Sequence, residues 1–164
     1  DATTSTTFAA DLKKWLQVME TYEGGAHMYH TTLPTDALQR LQQAMLETEA
    51  YGFAKVREEQ MALGREVRAL MREYGFPSVA ASGFEAPGVV VSYTTDPEIQ
   101  NSKKFLAQGL QTAAGVPLQC DEPADFCTFR IGLFGLEKWH NVPRTLQHLR
   151  SALDSVAPKQ KLAA

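Results

Sequence analysis

Two short stretches of this sequence hold residue types that could do chemistry. The first is Tyr29-His30-Thr31-Thr32. Adjacent hydroxyls ahead of a helix N-terminus form a candidate phosphate or anion site, because the helix end adds exposed N–H groups and positive potential. The same residues also suit a capping and turn segment. The second is Arg130, flanked by Phe129 and Ile131 and followed by Gly132. Strand alternation puts Thr128, Arg130 and Gly132 on one face. A planar guanidinium is suited to bidentate capture of a carboxylate. An arginine at a sheet surface or in an ion pair would read the same way.

Other chemistries find little support. His27, His30, His140 and His148 are scattered and no H-E-x-x-H frame is present, so no metal site is expected. His140, in a turn, and His148, on a helix, are expected to be exposed. Ser82 and Ser92 lack a G-x-S-x-G frame, which speaks against a hydrolase nucleophile. There is no phosphate-loop or dinucleotide fingerprint. Cys120 and Cys127 are too few for a disulfide framework and read as two thiols in or near a small sheet, in keeping with a reducing cytoplasm. The net charge of -3, without a basic block, argues against a nucleic-acid partner. No apolar run is long enough to span a bilayer, so no membrane partner is expected either.

The elements that must position these residues follow from periodicity. Phe8, Leu12, Trp15, Leu16 and Met19 predict an amphipathic helix over 8–21, stopped by Gly24-Gly25. Residues 26–35 read as an ordered loop. Thr35 or Asp36 can cap the next helix, whose stripe is Leu38, Leu41, Met45 and Leu46 and which Gly52 breaks. A longer helix from Phe53 to Tyr74 turns Leu63, Val67 and Leu70 inward. Its charges, Arg68 among them, are expected on a solvated face, and Gly75 ends it. Residues 87–95 are β-branched and aromatic and read as a strand. Asp96-Pro97 opens a helix expected to reach Ala114, and residues 116–119 are expected as a short edge strand. Residues 127–133 read as another strand, and Asn141 caps a closing helix through Val156. The expected fold is α+β: a small antiparallel or mixed sheet covered by helices and preceded by a long linking helix.

With these elements in place, Tyr29-His30-Thr31-Thr32-Leu33-Pro34 resembles the Y-H-x-T-x-P segment of class V aminotransferases, which depend on pyridoxal phosphate. Arg130-Ile131-Gly132-Leu133-Phe134-Gly135, followed by a closing helix, resembles the R-I-G-x-x-G segment near the C-terminus of the same enzymes, the group of alanine–glyoxylate and serine–pyruvate aminotransferases. The likeness runs from about Phe8 to Val156. It implies the C-terminal small domain of fold-type I enzymes over residues 50–157, and the C-terminal piece of the large cofactor domain over 8–49. Residues 1–7 are expected as a flexible lead-in. Residues 158–164 are expected as a tail, since Lys161-Leu162-Ala163-Ala164 resembles the start of an expression tag.

The resemblance also assigns roles. Tyr29 and Thr32 would bond the cofactor phosphate held by the partner subunit of a homodimer, and Arg130 would bind the substrate α-carboxylate. Substrates would be a small amino acid, alanine or serine, and a 2-oxo acid such as glyoxylate or pyruvate. The family's Schiff-base lysine lies upstream of the Y-H-x-T segment. Lys13 and Lys14 match the helix after it and read as surface residues, so no catalytic residue is expected here and the chain alone is expected to be inactive. Its 8–45 region is then expected to expose apolar patches and to associate. The alternatives are a stand-alone α+β module that captures carboxylates through Arg130, or a dimerisation domain.

Overall fold

The computed structural model describes residues 8, 11–32 and 34–157. The chain divides into two compact units, the first ending at Leu46 and the second beginning at Glu47. The expected lead-in over 1–7 and tail over 158–164 lie outside the described residues.

In the first unit, α1 spans Leu12–Glu23. It starts later than the period over 8–21 predicts, because the Asp11 carboxylate accepts from the Lys14 N–H (3.1 Å) and so fixes the N-terminus. Helix α2 spans Thr35–Tyr51 and continues across the unit boundary. Neither Thr35 nor Asp36 precedes it as a cap. Both lie within its first turn, because Leu38 already bonds back to the Pro34 carbonyl (3.0 Å).

The second unit is built on α3, Phe53–Glu73. It closes in a Schellman arrangement: the N–H of Phe76 bonds to Met71 O and that of Gly75 to Arg72 O, both at 3.0 Å. Gly75 has φ +81°, which a side chain would oppose. Strand β1 is Val89–Tyr93, β2 is Ala113–Ala114 and β3 is Thr128–Gly132. The sheet is antiparallel throughout in the order β1-β3-β2, with Val91 opposite Arg130 on one side and Ala113 opposite it on the other.

The helix expected from Asp96 to Ala114 is instead two short helices, α4 (Pro97–Gln100) and α5 (Lys103–Ala107). Ser102 at φ +70° breaks the run, and Gly109 at φ +75° ends it. The edge strand forms at Ala113–Ala114 and not over 116–119. Pro117 has no N–H to give a ladder, whereas Gly115 donates to Thr128 O (2.9 Å). A short helix α6, Leu136–Trp139, was not anticipated from periodicity. It is followed by α7, Val142–Val156, which Asn141 caps by accepting from the Arg144 N–H (3.0 Å).

Helices α3 and α7 cover one face of the sheet. Leu63, Val67, Leu70 and Met71 of α3 meet Leu149 and Leu153 of α7, with Phe105, Val90 and Phe129 between them. The rings of Phe76 and Phe105 lie 5.3 and 5.5 Å from that of Phe129. Phe129 therefore points into the core, and alternation turns Arg130 to the opposite face. The fold is the α+β arrangement expected, with the mixed option resolved to antiparallel. Among the described residues, no helix is long and apolar enough to cross a membrane.

Candidate functional site

Arg130 occupies the middle of the central strand. Its Nε donates to the Ala114 carbonyl at 2.9 Å. Both terminal nitrogens of the fork are without a hydrogen-bond or ion-pair partner among the described residues. A half-buried guanidinium bonded only at Nε has donors that could pair with a carboxylate. Val91 and Ala113 flank it from the neighbouring strands, and Gly132 next along the face adds no side chain.

The strip that positions β1 runs along α3 at helical spacing. Gln60 donates to Pro87 O (2.9 Å), and Arg68 donates to Ala86 O (2.6 Å) and Val89 O (2.9 Å). Between them, a Cβ on Gly64 would meet Pro87 O at 2.8 Å, so only glycine admits this segment. Positions 60, 64 and 68 lie on one helix face. The expectation that Arg68 is solvated is therefore corrected: it is 6% exposed. Burial lowers its pKa, and its terminal nitrogens donate to three backbone carbonyls, Gly64 O included, while its Nε is left without a partner. Its i, i+4, i+8 relation to Gln60 and Gly64 was the available sequence signal.

In the first unit, Tyr29 Oη and Thr32 Oγ1 lie 3.2 Å apart. The tyrosine is 77% exposed. His30 explains the posture. Its Nε2 meets Phe8 O at 3.0 Å and its ring packs 4.4 Å from Phe8 and 5.1 Å from Trp15. The histidine thus faces α1 while its neighbours face out. Two hydroxyls this close can donate to one phosphoryl group just ahead of α2. Asp36 in the first turn of α2 places a competing negative charge nearby. Tyr29 and Thr32 are thus brought together, while Arg130 belongs to the other unit. Lys13 is exposed, and the Lys14 ammonium bonds to Gln17 (3.0 Å).

Cys120 is exposed and Cys127 half-buried, and both are free thiols. His140 and His148 are exposed, the former with its ring 4.3 Å from that of Tyr51. Among the described residues no cluster of His, Cys, Asp and Glu could hold a metal ion.

The three-stranded antiparallel sheet under two long helices defines an α+β fold, consistent with that of a small C-terminal domain in an aminotransferase. Among solved structures the chain is similar to alanine–glyoxylate aminotransferase from Nostoc sp., with a TM-score of 0.73 and 15% sequence identity. The match covers 95% of this chain and 39% of that one, so the chain spans well under half the length of the enzyme it resembles. No protein-family model matches the sequence, and no curated protein matches it.

Proposed function

We propose that the chain is the C-terminal portion of a class V, pyridoxal-phosphate-dependent aminotransferase that acts as a cytoplasmic homodimer. It would transfer an amino group between alanine or serine and a 2-oxo acid such as glyoxylate or pyruvate. The observation that carries this reading is Arg130: a half-buried guanidinium, braced at Nε by Ala114 O and open at its other edge, in a fold shared with a solved aminotransferase.

Arg130 would grip the substrate α-carboxylate in a bidentate pair and so fix the direction of the α-C–H bond, which is catalysis by positioning. The paired hydroxyls of Tyr29 and Thr32 suit a phosphate group, and they would hold that of the cofactor bound to the partner subunit. When bound, the cofactor supplies an electron sink for the deprotonated substrate. The chain's own share is then binding and orientation. The Schiff-base lysine would lie elsewhere in the whole protein, and this chain alone is inactive on this reading.

The test is a transamination assay on the complete gene product that carries this sequence. Arg130→Ala should lower kcat/KM for the amino donor by roughly 30-fold or more, the equivalent of about 2–5 kcal/mol for breaking a buried charged pair, with cofactor absorbance retained. Tyr29→Phe should weaken cofactor retention and leave the KM of the donor nearly unchanged. A complete product that neither retains pyridoxal phosphate nor transaminates would overturn the reading. The exposed apolar side chains of α2 favour a second reading, a dimerisation module, which that outcome would support.

A further inference from the structure

A cavity of about 280 Å³ lies on the helical side of the sheet, opposite the face that carries Arg130. Val67, Ile131, Leu133 and Leu149 form its apolar floor. Arg144 and His148 also line it, one turn apart on α7 and both exposed. Among the described residues neither side chain has a hydrogen bond or ion pair; Arg144 is engaged only through its backbone N–H. Lys138, the second cation in the lining, already bonds to Glu137 (2.9 Å) and to Phe134 O (2.7 Å). Glu137 is the one carboxylate in the lining, and it is paired with Lys138 through Oε1. The Thr112 hydroxyl in the same wall is shielded from solvent and unbonded.

An apolar floor beneath an unpaired guanidinium is the arrangement that small-molecule pockets use: area for affinity and a few polar groups for orientation. Its chemistry selects against several ligands. A metal cation would meet like charge. Inorganic phosphate would leave the floor unused. A neutral hydrocarbon would leave Arg144 unused. We infer that this cavity is a second binding site, separate from the Arg130 face, for a small organic anion with an apolar body. A short-chain carboxylate would place its head at Arg144 and its chain against Ile131 and Leu149. A turn of Thr112 about χ1 would give its hydroxyl the same head group to bond.

Hexanoate is the probe. Titrated into the ¹⁵N-labelled chain, it should produce saturable amide shifts at Leu110–Thr112, at Leu133 and through the first two turns of α7. Hexanol and acetate, each lacking one half of the ligand, should bind at least five-fold more weakly. Arg144→Ala should weaken hexanoate at least five-fold, and because that residue is exposed the fold should be retained, which the unchanged dispersion of the remaining amides would verify. Arg130→Ala should leave the affinity unchanged. The inference fails if hexanoate shifts no amide around the cavity, if Arg144→Ala has no effect, or if Arg130→Ala abolishes binding, which would assign the carboxylate to the other face.

Discussion

Arg68 and Arg130 carry the same group into different surroundings. The terminal nitrogens of Arg68 bond to three backbone carbonyls while its buried Nε has no partner, so it acts as a structural tie. Arg130 bonds to one carbonyl only, and its terminal nitrogens are left for the carboxylate of the proposed function. Glu122 shows a third use of charge at this scale. Its carboxylate accepts from the backbone N–H groups of Cys120 (2.8 Å) and Gln119 (2.9 Å), and these bonds hold its pKa down at about 2. They also pin a turn in which Gln119 and Asp121 both have φ near +60°. Because the folded pKa lies below the ordinary 4.5, the carboxylate's contribution is present in full above 4.5 and is lost as pH falls through about 2. The Glu122 carboxyl resonance should therefore titrate near pH 2, together with loss of amide protection at Cys120 and Gln119. A midpoint near 4.5 would mean that the turn is not held this way.

At the scale of elements, β2 is only two residues long, yet it supplies the carbonyl that braces Arg130. Its closeness to β3 depends on Gly115. A Cβ there would meet Thr128 Oγ1 at 1.9 Å and Thr128 O at 2.3 Å, and Thr128 is buried and cannot withdraw. Gly115→Ala should push β2 off the central strand, destabilising the fold by about 1–3 kcal/mol as an overpacking change. It should also free the Arg130 side chain. Urea unfolding gives the first effect, and the arginine Nε resonance, exchanging faster with solvent once its acceptor is gone, gives the second. An unchanged midpoint would show that β2 contributes nothing to holding Arg130.

For the whole molecule, the two units differ in how they bury apolar surface. The second has a continuous core. In the first, Leu12, Leu16 and Met19 of α1 and Leu38, Leu41, Met45 and Leu46 of α2 are exposed, and no residue of α2 is buried. Exposed apolar stripes of this kind draw chains together. Sedimentation velocity should show association that increases with concentration, and the double change Leu41→Glu with Met45→Glu should abolish it without altering the helical signal. A chain that stays monomeric at high concentration would count against this.

Much of the architecture was legible in residue order. Periodicity marked α1, α2, α3 and α7, because a one-sided helix must repeat its apolar residues every three or four positions. Asp96, Asn141 and Gly75 marked ends, because caps and left-handed turns demand particular side chains. Alternation around Arg130 marked its strand and its face. The shift of the edge strand to Ala113–Ala114 and the burial of Arg68 were decided by tertiary structure alone. Each depends on a partner distant in sequence: Thr128 across the sheet for β2, and the 86–89 segment for Arg68. Local propensity has no knowledge of which remote carbonyl will be waiting, so a charge on a helix reads as solvated until the chain that covers it has been placed.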